Sequence, residues 1–229
     1  MVNMKRFILL LLIPFTVSVL FYPVIFTYFS QDDFFHFKVS LTNGSLSQFI
    51  NLFGFHPFAE RGIAFYRPIF REALFNFFYS IFGLNPYPFR ILQLSILFLN
   101  SYLIYYFIQK LLKQKGLAVF AAFFYAVSSA QVTPLYYLAG GIQVLGATTF
   151  LLLTLILFLQ NSPFSFITFI LSLGSHELSS VIPFLVSALL FIRFPFKKAI
   201  RKLWQIVPFF LTLFVYLYLE ITRIGFSTG

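Results

Sequence analysis

Three stretches hold the side chains able to do chemistry. Gln31-Asp32-Asp33-Phe34-Phe35 pairs two carboxylates. Such a pair at a membrane surface can bind a divalent cation, or split into an ionised base and a partner of raised pKa. It also reads as two solvated acids ending a helix. Tyr66-Arg67-Pro68-Ile69-Phe70-Arg71 carries two guanidinium groups suited to a bidentate grip on a phosphate or pyrophosphate. The same arginines can instead pair with lipid phosphates, Glu60 or Glu72. Ser175-His176-Glu177 sets an imidazole and a carboxylate between two short apolar runs, where charge is costly and faces a cavity or a partner. The plainer alternative is a tight loop. His36 and His56 add no ligand spacing, so a divalent metal is compatible with the sequence without being indicated by it. The absence of cysteine removes thiolate ligands and thiol nucleophiles.

The elements that must position these groups are membrane helices. Of 229 residues, 60% are apolar and 10% charged, against about 45–50% and about 25% in soluble domains. With a mean hydropathy of +0.90, this excludes a soluble globular enzyme, a disordered chain and a collagen. The +10 charge does not point to nucleic acid. Its basic residues cluster at the ends of apolar runs, with no zinc-finger, Walker or Rossmann pattern beside them. A helix of about 20 apolar residues crosses the bilayer, and the runs predict an all-α polytopic protein of seven spans. These cover 7–29, 91–108, 116–130, 138–159, 163–174, 178–192 and 203–219. The first run lacks an Ala-x-Ala-like cleavage site and reads as an uncleaved helix.

Seven spans with the N-terminus in the cytoplasm put Lys5, Arg6, Lys110, Lys113, Lys115, Arg193, Lys197, Lys198, Arg201 and Lys202 on the inside, as the positive-inside rule requires. Residues 30–89 then form a long extracytoplasmic loop holding Asp32, Asp33, Glu60 and Glu72, four of the six acids. Alternation over 34–41 and 47–53 predicts short in-plane helices. The pattern over 68–82 predicts another, with Arg71 and Glu72 facing away from a Phe-rich side. Gly140-Gly141 opens the fourth span and permits close helix packing.

In this order the elements resemble the GT-C superfamily of membrane glycosyltransferases: a signal-anchor-like first helix, an acidic pair beyond it, and a loop with in-plane helices. Tyr66-Arg67-Pro68-Ile69, then Phe82-Gly83-Leu84-Asn85-Pro86, then a Leu-rich span with Asn100, are similar to the branch of protein O-mannosyltransferase-like proteins with tetratricopeptide repeats and their bacterial relatives. The likeness runs over nearly the whole chain, which reads as one transmembrane domain, 1–229. The resemblance implies Asp32 and Asp33 as the catalytic carboxylates, Arg67 and Arg71 as ligands of the donor phosphate, and Tyr66, His176 and Glu177 as cavity lining. His176 stands where the family usually has Lys. Members usually continue into more spans or a soluble domain. The expectation is therefore that these residues form the N-terminal part of a longer protein; no repeat of ~34 residues is present.

The implied reaction is inverting transfer of a sugar from a polyprenyl-phosphate-linked donor to an extracytoplasmic protein, lipid or glycan acceptor. The expected partners are that donor and membrane lipids, with no nucleic acid. No cofactor is required by the motifs. A bacterial inner membrane suits the lack of other targeting signals. A different class of protein, a non-catalytic polyprenyl-phosphate binder, flippase or assembly partner, would use the same arginines without needing a base. A small transporter is disfavoured by the lack of a repeated half.

Overall fold

The computed structural model describes residues 4–225, with side chains from residue 12 onward. The side chains of Lys5 and Arg6, and residues 226–229, lie outside the described residues. All regular structure within them is helical. The helices are α1 (Met4–Phe21), α2 (Gln31–Ser40), α3 (Leu46–Asn51), α4 (Phe58–Arg61), α5 (Leu74–Phe82), α6 (Pro86–Leu112) and α7 (Lys115–Val127), followed by α8 (Val132–Tyr136), α9 (Leu138–Leu159), α10 (Phe164–Leu173), α11 (Ile182–Arg193), α12 (Phe196–Arg201) and α13 (Val207–Leu219).

Three helical stretches are long and apolar enough to cross a membrane: Pro86–Leu112, Leu138–Leu159 and Leu203–Ile224. Two more qualify as bent pairs. Leu12–Phe26 meets α2 at 76°, and α7 meets Ser129–Tyr136 at 47°. The expected fifth and sixth spans appear as shorter pieces, the 10-residue α10 and the 12-residue α11. The second begins at Pro86 rather than at residue 91, because Asn85 caps the helix by accepting the Tyr87 N–H and Pro86 fits its first turn. Arg90 is thereby drawn inside the helix. Helices are present where the 30–89 loop is expected to carry short ones, as α2, α3 and α5, with α5 starting at Leu74 rather than at residue 68.

The most enclosed stretch is α9, with 67% of its most apolar window buried. On one flank it packs on α6, where Asn100 donates to the Leu145 carbonyl (2.9 Å) and accepts from the Thr149 hydroxyl (2.7 Å). Such polar contacts join helices where hydrophobicity gives no preference between neighbour and lipid. On its other flank lies a second apolar core built on Phe169, Ile182, Val186, Phe209 and Leu213. α2 is held over the first core by the rings of Phe29, Phe37, Phe75 and Phe89. Phe37 sits edge-on to the other three at 5.0–5.5 Å, and such pairs contribute about 0.5–1.5 kcal/mol each.

Both bent pairs are tied to α6. The buried Arg90 donates to the Thr27 and Tyr28 carbonyls (3.1 and 2.9 Å) at the first bend and to the Leu135 carbonyl (3.2 Å) at the end of the second pair. Gln93 donates to the Pro134 carbonyl at 2.9 Å. Backbone groups freed by a helix break at membrane depth need such partners. At the α8–α9 junction Gly141 faces the Pro134 carbonyl, so a β-carbon there would collide with backbone oxygen. Gly141→Ala is expected to destabilise the fold by about 1–3 kcal/mol through overpacking. Gly116→Ala, in open space, should be close to neutral. Thermal unfolding of both variants in detergent checks the contrast.

Candidate functional site

The polar cluster sits where the two apolar cores meet. Its centre is Arg67, at the start of a π-helical turn, Pro68–Ala73, that runs into α5. The Ile69 N–H donates to the Gly174 carbonyl (3.1 Å), so this turn is pinned to the end of α10. That bridge brings Arg67 against the 175–177 turn. Its Nε and Nη2 donate to Glu177 Oε2 and Oε1 (2.7 and 2.5 Å), and its Nη1 donates to Gln143 Oε1 (2.9 Å) on α9. Three of the five guanidinium donors are thus used, which leaves one N–H on each terminal nitrogen.

Glu177 is only half-buried. Burial raises its pKa, but the Arg67 hydrogen bonds and charge outweigh this and hold it below the ordinary carboxylate value of 4.5. A carboxyl whose folded pKa is depressed stabilises the native state above its unfolded pKa, and that contribution is lost as pH falls through the folded value. The unfolding temperature is therefore expected to stay flat from about pH 8 to about pH 5 as far as this pair is concerned, and to fall below about pH 4.5. Glu177→Gln should flatten that acid limb; scanning calorimetry across this range reads it directly. His176, next along, is neutral at pH 7. Burial, aided by the Arg67 charge, lowers its pKa, and Nδ1 accepts the Leu178 N–H at 3.2 Å. The 3.3 Å approach of Nδ1 to Glu177 Oε2 is then a contact between two acceptors, not an ion pair. His176 caps a turn.

The two members of the acidic pair differ. Asp33 is fully buried, and its Oδ2 accepts both the backbone N–H and the hydroxyl of Ser30 (2.7 and 3.0 Å). This reciprocal cap starts α2. Asp32, on the exposed face of the same turn, accepts the Tyr137 hydroxyl at 2.6 Å and keeps its second oxygen free of protein donors. Burial, together with the Asp32 bond and charge, raises the Tyr137 phenol to about 12. The phenol therefore stays protonated and donates. Tyr137 precedes α9 and Gln143, which Arg67 engages, lies six residues further along, so the start of α9 links Asp32 to the Arg67 cluster.

Arg71 does not join Arg67 at the open surface. It and Glu72, expected to face outward, are buried at 7% and 3% exposure and paired at 2.7 Å. A loop segment including Gly54, His56 and Phe65 covers them, and mutual neutralisation makes that burial tolerable. Of the residues expected to line a cavity, Tyr66 does so, whereas Glu177 pairs with Arg67 and His176 caps the turn beside it. Tyr66 stacks on Phe55 with ring centroids 3.8 Å apart and borders an apolar groove of about 360 Å³ between α10 and α13. Ile170 and Val215, 46% and 53% exposed, form its outer rim.

Sequence reasoning misses Gln143, Tyr137 and Glu220. Glu220 accepts the Tyr66 N–H and the Tyr216 hydroxyl, each at 3.2 Å. Its position just past a long apolar run was the available signal.

No protein-family model, curated protein or solved structure matches the chain.

The donor set does not suit a divalent cation. Among the described residues no three His, Asp or Glu side chains gather as a metal-binding group. Asp33 and Glu72 commit one oxygen each to Ser30 and Arg71 and bury the second without a donor, and Glu177 is committed to Arg67. Asp32 is exposed, with an oxygen that no protein donor engages. What the arrangement can do is hold an anionic group against Arg67 and accept a proton at Asp32.

Proposed function

We propose that this protein is a membrane glycosyltransferase of GT-C type, moving a sugar from a polyprenyl-phosphate-linked donor to an extracytoplasmic acceptor. The observation that carries this reading is the placement of Arg67, with two unused donors, between Tyr66 and Pro68, both of which line an apolar groove that opens between α10 and α13. A ligand with a charged head and a long apolar tail fits that sequence of surfaces, the tail in the groove and the phosphate on the arginine. Asp32 on α2 supplies the second requirement, a carboxylate with a free oxygen, linked to the Arg67 cluster through the start of α9.

In this mechanism the acceptor oxygen attacks the anomeric carbon from the face opposite the phosphate. Its proton passes to the free oxygen of Asp32, the bond from the anomeric carbon to the phosphate oxygen breaks, and the configuration inverts. Polyprenyl phosphate leaves as a dianion, and Arg67 stabilises the charge that develops. Tyr137 donates to the other Asp32 oxygen and fixes the carboxylate's orientation. Gln143 and Glu177 do the same for the guanidinium. The seven-span layout, with a cytoplasmic N-terminus in a bacterial inner membrane, belongs to this reading. In it α10 and α11 are short spans whose polar junction brings Glu177 to the site.

The test is incubation of the purified chain, in vesicles, with radiolabelled polyprenyl-phosphate hexoses and an extract of extracytoplasmic acceptors. Label transferred to acceptor with inversion supports the reading. Saturable donor binding without transfer selects the carrier or assembly-partner role. No binding of any polyprenyl-phosphate sugar removes both.

A further inference from the structure

The charges of this protein are sorted by end. All six side-chain carboxylates belong to the end that carries the Arg67 cluster, and the sequence has no acid between Glu72 and Glu177 or between Glu177 and Glu220. α9 measures the separation. It runs from Leu138, beside that cluster, to Leu159, whose carbonyl accepts from Arg193, roughly 33 Å away at 1.5 Å per residue. Among the described residues no carboxylate pairs with the basic residues of 110–115 and 193–202 at the far end. An anion from outside the protein can balance them.

Three of these cations converge on one ring. The Arg193 guanidinium and the Lys198 and Lys202 ammonium groups lie 5.2, 5.2 and 5.0 Å from the centroid of Phe194. The ring's negative face offsets only part of their mutual repulsion. Arg193 is also fixed at the turn after α9, where it donates to the Leu159 carbonyl (2.7 Å) and to Asn161 Oδ1 (3.4 Å). Asn161 forms part of the rim of a groove of about 550 Å³ between that turn, the start of α10 and the start of α13. Its walls include Phe158, Phe166 and Phe209. Trp204, 69% exposed, borders it two residues from Lys202. Cavities of this size hold whole small-molecule ligands, about 300–1,000 Å³.

An apolar trough edged by uncompensated cations calls for an amphiphile with an anionic head. We propose that this groove binds one anionic phospholipid of the surrounding bilayer, an acyl chain lying between the α9–α10 turn and α13 and the phosphate meeting Arg193, Lys198 and Lys202. The site is at the opposite end from Arg67 and is independent of the transfer reading.

Trp204 is the single tryptophan and reports on the groove directly. The chain is reconstituted in phosphatidylcholine vesicles containing graded fractions of dibrominated phosphatidylglycerol or, separately, dibrominated phosphatidylcholine, and Trp emission is followed. At about fivefold per basic residue near the lipid surface, three cations predict a preference for the anionic lipid on the order of 100-fold in the fraction giving half-quenching. Lys198→Gln/Lys202→Gln should reduce it to about fivefold, with unchanged emission maximum and unfolding temperature. Raising salt from about 50 to about 500 mM should weaken the wild-type preference, a reading that stands if the variant does not fold. Identical quenching by the two lipids, or a preference undiminished in the folded variant, overturns the proposal. Relief of quenching by inorganic phosphate beyond that given by chloride at equal ionic strength would assign the site to a free anion and also overturn it.

Discussion

Asp32→Asn is expected to lower transfer by about 10²–10⁴-fold while leaving the unfolding midpoint where it was. Asp32 is exposed on the first turn of α2, and the Tyr137 hydroxyl is the protein donor it engages. Asparagine keeps an acceptor for that bond, so the fold loses nothing. The acceptor's proton loses its destination.

Asp33→Asn should behave in the opposite way. The Asp33 carboxylate is buried, accepts two donors from Ser30 and contributes negative charge near Arg90. The amide keeps one acceptor but buries an NH₂ group without a partner, and it removes charge that favours the Arg90 guanidinium. A loss of about 1–3 kcal/mol is expected, with turnover per folded molecule little changed. Measuring kcat and chemical unfolding for both variants separates the roles. A well-folded Asp33→Asn protein that cannot transfer, beside an active Asp32→Asn protein, would exchange them and remove the proton-acceptor argument.

That difference between neighbours was not legible in the sequence. Adjacent residues on a helix point about 100° apart, so a carboxylate pair is one base and one cap once the helix start is known, and Ser30 gives that start away only in hindsight. The helical class and the runs behind α6, α9 and α13 were legible, because about 20 apolar residues admit few other structures. α3 and α5 were legible from their periodicity, α5 only in its later part because Pro68–Ala73 forms a π-helical turn. α2 begins at Gln31 rather than at residue 34, because Ser30 and Asp33 cap it there. The first bend, at 27–30, and the α8–α9 junction, at 134–137, were less legible. They depend on Arg90 and Gln93 supplying partners to distant carbonyls, and a basic residue at the edge of an apolar run reads locally as a membrane-interface marker. Arg71 and Glu72 misled for a related reason. Two charges side by side look solvent-facing, and only the fold reveals that they neutralise each other under a covering loop. Arg67 and Glu177 are 110 residues apart in the chain, and no local pattern announces such a pair.

Their partnership makes Arg67→Ala the most informative substitution. It removes the charge expected to stabilise the departing phosphate, at a cost of about 10²–10³ in kcat. It also leaves Glu177 and Gln143 Oε1 without their donor. The pair is only partly buried, with side chains 17% and 30% exposed, so the stability loss should be about 1–3 kcal/mol, below the figure for a fully buried pair. A purely structural role predicts that removing the orphaned carboxylate as well restores the protein. The double variant Arg67→Ala/Glu177→Ala is expected to recover much of the stability, through a coupling of about 0.5–3 kcal/mol, and none of the transfer. Arg67→Lys sharpens the contrast. An ammonium keeps the charge but cannot hold both Glu177 oxygens and Gln143 while still presenting donors to a phosphate, so donor KM should rise although the fold survives. If the double variant regains transfer with stability, Arg67 serves the fold alone, and the phosphate must be sought elsewhere along the α10–α13 groove.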